Sequence, residues 1–318
     1  MSMANNKKIL ITGGAGFIGA NFAHKFLDLG YNVNLLEKQG TNLQRIEKIK
    51  DKIQLHYIDL RNYDELEDFI IKLNPQIILH FATYGAYQVK QQDIKTTIDT
   101  NLLGTINLVN ACKNIKFDCF INTSTSSEYG VKDKPMKETD LLEPSNLYAI
   151  TKAGATMYCQ DITRKLGLPI ITMRPFAVYG YFEEKERLIP CIIKSCLTNT
   201  DLNLSSQSSV RDFVFIEDVI SAYLKIIENA QKVKGEIFNI GTGKQNTIDQ
   251  AVNIIKKITQ SSIEPKYNQI KQSQLEPKNW LADISKIKNI LNWQPDYDLE
   301  KGLTKNIEWF KKNLSLYD

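Results

Sequence analysis

Through its first half the chain alternates short apolar runs with longer stretches whose apolar positions recur at helical spacing. Ile9-Leu10-Ile11, Val33 to Leu36, Ile53 to Ile58, Ile77 to Phe81, Phe120-Ile121 and Ile170 to Met173 predict buried parallel strands. Between them Ile18, Phe22, Phe26 and Leu29 repeat every three or four residues, with Gly30 as a stop. Two more amphipathic helices are predicted, from about 93 to 114 and from 147 to 166. Strand-helix alternation of this kind implies an α/β fold built on a doubly wound parallel sheet. After Pro175 the rhythm breaks into loops and helices, including a polar stretch from Thr198 to Ser209. Glu236 to Ile240 reads as a late strand returning to the sheet, with tail helices near 247–258, 283–291 and 300–313. The expected organisation is a nucleotide-binding domain of residues 1–175 plus about 235–260. A smaller, discontinuous C-terminal substrate lobe would take 176–234 plus about 261–318.

A length of 318 residues suffices for one sizeable core plus a smaller lobe. The net charge of +4 is spread along the chain, with no basic run interleaved with aromatics, so nucleic acid is not an expected partner. The five cysteines form no Cys-x-x-Cys pair, and the three histidines join them in no cluster, so no metal site is expected. Thiols used in this way fit a reducing compartment. No apolar run approaches the ~20 residues of a membrane helix, and the polar start from Met1 to Lys8 does not resemble a signal peptide. The expected location is cytoplasmic.

Candidate chemistry begins at Gly13-Gly14-Ala15-Gly16-Phe17-Ile18-Gly19, between the first strand and the first helix. Gly13 permits a tight turn, and Gly16 lets backbone approach a pyrophosphate. Phe17 and Ile18 open a helix whose N-terminus supplies N–H donors to a dinucleotide. Glu37 ends the second strand about 20 residues later, where a carboxylate accepts from a ribose 2′-hydroxyl and repels a 2′-phosphate. It favours NAD, while Lys38 beside it leaves NADP open. Asp59-Leu60, after the third strand, would clasp an adenine edge, the alternative being a helix N-cap role for a nearby polar residue. Phe81-Ala82, after the fourth, would pass near the dinucleotide. His80 lies inside an apolar strand and is expected to be packed and hydrogen-bonded rather than a base.

Tyr148-Ala149-Ile150-Thr151-Lys152 places a phenol and an ammonium four residues apart on one helix face. Tyrosine alone ionises near pH 10. A fixed neighbouring cation stabilises the phenolate and makes proton exchange with a substrate hydroxyl feasible.

Together with Arg211-Asp212-Phe213-Val214 and Asn239-Ile240-Gly241, these motifs resemble the extended short-chain dehydrogenase/reductases. More narrowly, they resemble the epimerase/dehydratase group acting on nucleotide sugars, from Lys8 to about Trp309. The resemblance implies a Rossmann fold, with Tyr148 as acid/base and Lys152 binding the nicotinamide ribose. It places the catalytic hydroxyl at Thr125, counted back from Tyr129-Gly130, with Ser124 and Ser126 as rivals. Asn101, in Asn-x-x-Gly-Thr, would support the active-site helix structurally. Thr83 and Thr125 would touch the sugar, and Arg211, with Arg187 as a second contact, would grip the diphosphate. A nucleoside diphosphate sugar as substrate and a homodimer paired through the helices at 93–114 and 147–166 complete what it implies.

Within that group, elimination or decarboxylation calls for a carboxylate just after the catalytic threonine, where this chain has Ser126 and Ser127. Glu128 falls one place later, and strand alternation would turn it to the opposite face. Two readings survive, a 4-epimerase that retains its NAD and a 4-ketoreductase fed by external NAD(P)H. Glu37 favours the first. Ala177, standing where many epimerases carry a phosphate-binding asparagine, favours the second, as does Thr83-Tyr84-Gly85.

Overall fold

The computed structural model describes residues 7–86, 93–269 and 278–317. Seven strands form one sheet: β1 (Lys8–Thr12), β2 (Asn32–Glu37), β3 (Gln54–Tyr57), β4 (Ile77–His80), β5 (Cys119–Thr123), β6 (Ile170–Pro175) and β10 (Ile237–Ile240), in the order β10-β6-β5-β4-β1-β2-β3. The pairs from β6 through β3 are parallel. The edge strand β10 joins through Thr172 N to Glu236 O at 3.0 Å and Phe176 N to Ile240 O at 2.9 Å. Every predicted strand forms; β1, β4, β5 and β6 are buried almost throughout, while the edge strand β3 is exposed at both ends.

Register aligns Leu10, Ile78, Phe120 and Ile170 across four adjacent strands. This row packs on Leu66 and Ile70 of α2 (Tyr63–Leu73), Leu108 and Val109 of α4 (Gly104–Cys112), and Cys159 and Ile162 of α5 (Leu147–Leu166). Elsewhere in this unit Phe22 and Phe26 of α1 (Phe17–Asp28) stack at 6.1 Å, and Phe22 meets Tyr223 edge-on at 4.8 Å. Helix α5 starts where Asn146 caps it, its side chain accepting from Ala149 N at 2.9 Å.

The helix expected from 93 to 114 is interrupted. It consists of α3 (Ile94–Ile98), a π-helical turn (Asp99–Leu103) and α4. The wide turn carries Asn101, whose side chain is fully engaged with neighbouring segments, as described below. Such turns recur where a helix must aim a functional side chain.

The chain divides into two compact units. One comprises 1–130, 141–174 and 223–238; the other comprises 131–140, 175–222 and 239–318. The second unit pairs β7 (Ala177–Tyr179) with β9 (Phe213–Phe215) in parallel, and β8 (Val210–Arg211) with β11 (Asn246–Thr247) antiparallel. Its helices are α6 (Leu188–Thr198), most of α7 (Ile216–Glu228), α8 (Ile248–Thr259), α9 (Ser285–Leu291) and α10 (Leu299–Lys312). Thr247 and Gln250 form a reciprocal capping box at the start of α8. Asp212 is a hub of this unit, accepting from Thr242 N (2.7 Å), Thr242 Oγ1 (2.6 Å), Gly243 N (3.1 Å) and Ala282 N (3.1 Å). Removing that acceptor strands the buried Ala282 N–H and the half-buried donors of Thr242. Asp212→Ala is therefore expected to lower the unfolding free energy by about 3 kcal/mol, read as a lower urea midpoint. An unchanged midpoint would show that the hub holds nothing.

Candidate active site

The sheet order reverses between β1 and β4, so the loops leaving these strands flank a crevice at their C-terminal ends. Gly13 adopts φ +67°, and a Cβ there would lie 2.8 Å from Ala82 Cα. A Cβ on Gly19 would lie 2.2 Å from Gly13 O, so only glycine lets α1 start against the turn. The fold thus brings Gly13, Gly16, Phe17 and Ile18 together with Phe81 and Ala82. Glu37 ends β2, and its carboxylate accepts from Ala15 N at 2.8 Å. Burial pushes its pKa up to about 7 despite the amides of Ala15 and Gly14.

Leu60 is buried in the core row's cluster, and Asn107 donates to its carbonyl at 2.9 Å. Asp59 is clamped by Arg61 at 2.6 Å. Asn62 occupies the N-cap of α2 without making a side-chain cap bond.

A directed hydrogen-bond chain joins the loops to α5. Thr105 Oγ1 donates to Asn101 O at 2.7 Å, so it accepts from His80 Nε2–H at 2.9 Å. His80 Nδ1 consequently accepts from Thr12 Oγ1 at 2.7 Å, and that hydroxyl accepts from Ala82 N at 3.2 Å. Burial holds this imidazole neutral, its pKa pushed down to about 3. His80 is a packed, fully bonded residue, as its apolar strand implies. Asn101 accepts from Thr83 Oγ1 (3.0 Å) and Tyr84 N (2.8 Å), and donates to Tyr84 O (2.9 Å) and Thr151 Oγ1 (3.2 Å). Thr151 Oγ1 in turn donates to Tyr148 O at 2.8 Å. Thr83 and Tyr148 are thereby linked through one asparagine.

Lys152 lies on α5 one turn beyond Tyr148 and is only 2% exposed. Desolvation pulls its pKa down to about 8, against the attraction of Glu128. The hydroxyls after β5 divide their work. Thr123 shares a hydrogen bond with Tyr223 at 2.9 Å, and Ser124 donates to Glu128. Thr125 accepts from Ser127 N at 3.1 Å, which leaves its own proton to donate.

Glu128 departs from expectation. The strand ends at Thr123 and residues Ser126–Tyr129 form a short 3-10 helix, so strand alternation does not apply there. Its carboxylate is wholly buried and paired with Arg174 Nε at 2.6 Å. Sequence reasoning missed this pair, although an arginine inside an apolar strand already signals a buried counter-charge.

Arg187 and Arg211 belong to the second unit. Arg187 precedes α6 and lies 3.6 Å from Glu183. Arg211 donates to Val210 O at 2.7 Å within β8. Tyr181 is engaged by Glu217 at 2.8 Å and stacks near Trp309, while Tyr179 is buried against Phe213 and Phe215. Among the described residues, no group of His, Cys, Asp or Glu is arranged to hold a metal ion. No helix among them is long and apolar enough to cross a membrane.

Residues 9–241 match the model of the NAD dependent epimerase/dehydratase family. The chain belongs to this family. It is 28% identical to the UDP-glucuronate 4-epimerase of Thermodesulfobacterium geofontis, over 96% of this chain and 97% of that protein. The crystal structure of UDP-glucuronic acid 4-epimerase from Bacillus cereus, in complex with UDP-glucuronic acid and NAD, superposes with a TM-score of 0.86. It is 29% identical and covers 96% of this chain and 99% of that one. That of dTDP-glucose 4,6-dehydratase from Bacillus anthracis, in complex with NAD, also gives 0.86, at 27% identity over 97% and 98%. Relatives at 27–28% identity are thus nucleotide-sugar epimerases and dehydratases.

The turn fits the family's dinucleotide: a Cβ on Gly16 would already crowd Gly13 O at 3.2 Å, and the buried Glu37 carboxylate is bonded to the loop at Ala15 N. Because the folded carboxyl titrates at about 7 rather than 4.5, the native state holds the extra proton between those values. Stability of the NAD-free protein should therefore fall as pH rises from about 4.5 to 7, by on the order of 3 kcal/mol. Thermal melts of Glu37→Gln should lack that decline; an identical decline would refute the assignment.

Proposed function

We propose that this NAD-dependent family member is a nucleotide-sugar 4-epimerase working through a 4-keto sugar. Glu37 favours retained NAD and so the epimerase over a reductase, and one further observation sets the eliminating members of the family aside. The positions after Thr125 are Ser126 and Ser127, and the nearby carboxylate, Glu128, is spent on Arg174. A 4,6-elimination needs an acid and a base there, and none is supplied.

NAD, when bound, supplies a reversible hydride acceptor. Gly13, Gly16, Phe17 and Ile18 would hold its pyrophosphate, Glu37 its adenosine ribose, and Asp59 with Leu60 its adenine edge. Phe81 and Ala82 would line the way to the nicotinamide. Tyr148 takes the proton of the C4 hydroxyl and later returns it. Lys152 binds the nicotinamide ribose and keeps positive charge beside the phenol. The Thr125 hydroxyl donates to the C4 oxygen, a bond that strengthens as charge develops there. Thr83 contacts the sugar, and Arg211 with Arg187 neutralises the diphosphate. Of these residues only Arg187 and Arg211 come from the second unit. A 4-ketoreductase is the second reading, and the observation favouring it is Ala177, which offers no amide to a phosphate.

Denaturing the purified protein should release NAD. Incubation with UDP-, CDP- and dTDP-sugars, without added cofactor, should interconvert C4 epimers with no net NADH. Tyr148→Phe should lower kcat by about 10²–10⁴-fold. Stoichiometric NAD(P)H oxidation by a 4-keto sugar would instead establish the ketoreductase.

A homodimer paired through α3–α4 and α5 belongs to the same proposal. Ile94, Leu103, Ile150 and Met157 are large apolar residues exposed on those helices. Light scattering after gel filtration should give a dimer, and Ile150→Glu with Met157→Glu a monomer. A monomeric parent protein would reject the pairing.

A further inference from the structure

The buried pair of Glu128 and Arg174 has a direction. Glu128 Oε1 accepts from Thr156 Oγ1 of α5 at 2.7 Å and from Ser124, while Oε2 takes Arg174 Nε at 2.6 Å. Arg174 in turn donates from its terminal nitrogen to Tyr129 OH at 2.9 Å, with its guanidinium 4.7 Å from that ring's centroid. The carboxylate is thus the member of the pair that bonds to the helix. Thr156 follows Lys152 by four residues as Lys152 follows Tyr148, so all three share one stripe of α5. The carboxylate touches the third member of the stripe that carries the phenol and the ammonium.

We propose that Glu128 is a positioning residue for this stripe: its carboxylate holds α5 through Thr156 and supplies the counter-charge to the buried Lys152 ammonium. The inference rests on the assignment of Tyr148 and Lys152 as the proton-handling pair. The other titratable groups that interact with the ammonium are His80 from β4, which is neutral, and Cys159 one turn past Thr156. Glu128 is the opposite charge that strengthens the hold of Lys152 on its proton, and it acts on Cys159 as well. Of the two charges it is the carboxylate that bonds to α5, so taking both away removes the charge held against the helix. A carboxylate with three donors and no exposure is also denied to the substrate, which explains how an acidic residue beside Thr125 coexists with non-eliminating chemistry.

The test needs neither NAD nor a sugar, so it stands apart from the proposed reaction. Folded Lys152 releases its proton near pH 8, against 10.5 when unfolded, so the native state binds fewer protons between those values. Its contribution makes stability rise with pH across that window. Lys152→Met lacks the contribution, and subtracting its thermal melts from those of the parent isolates the rise. The same subtraction is made in Glu128→Gln and in Glu128→Met/Arg174→Met, the second being a neutral replacement of a kind that folds well where single charges are stranded. The rise should begin about one pH unit lower in both backgrounds, a tenfold weaker hold on the proton. An onset unchanged from the parent in either background would overturn the proposal.

Discussion

A cation withdrawn from water is the constraint around which the first unit is organised. Lys152 is 2% exposed on the central helix of a parallel sheet, a position that disfavours its charge strongly. Nothing in packing alone asks for a lysine there, since Leu or Met would fill the space without the desolvation cost. Its retention makes sense only as a poised ammonium one helical turn from Tyr148. The surroundings are arranged to keep it charged near neutrality without satisfying it so well that it becomes inert.

The second requirement is placement. The loops after β1 and β4 and the π-turn of Asn101 are joined by a chain of hydrogen bonds in which each hydroxyl and the His80 ring has one permitted direction. Thr83, Tyr84 and the Tyr148 carbonyl are the outlying members. Every donor in it is matched, so the segment after β4 cannot slide relative to α5 without stranding a buried polar group. Glycine at positions 13 and 19 supplies the matching close contact on the other side. The polar network and the turn are two halves of one alignment device.

Much of this was legible along the chain. Apolar runs alternating with amphipathic helices imply a parallel sheet covered on both faces, so the sheet followed from Ile9-Leu10-Ile11 and its successors. Glycines at positions 13, 16 and 19 and the four-residue spacing of Tyr148 and Lys152 are local patterns with local geometric consequences. What failed were inferences that carried a period past its end. The helix expected over 93–114 ignores that one extra residue per turn at Asp99–Leu103 is invisible to apolar periodicity. The face of Glu128 was misread because alternation was continued beyond Thr123 into a 3-10 helix. Partners distant in sequence, Glu128 with Arg174 and Asp212 with the 242–243 turn and Ala282, leave no periodic trace.

The central claim is that the buried ammonium of Lys152 acts on the Tyr148 phenol. Ultraviolet titration of the phenolate reads it directly, taking each protein against its own Tyr148→Phe counterpart. The account predicts that Tyr148 ionises at a lower pH in the parent protein than in Lys152→Met. Ionisation at the same pH in both would contradict it.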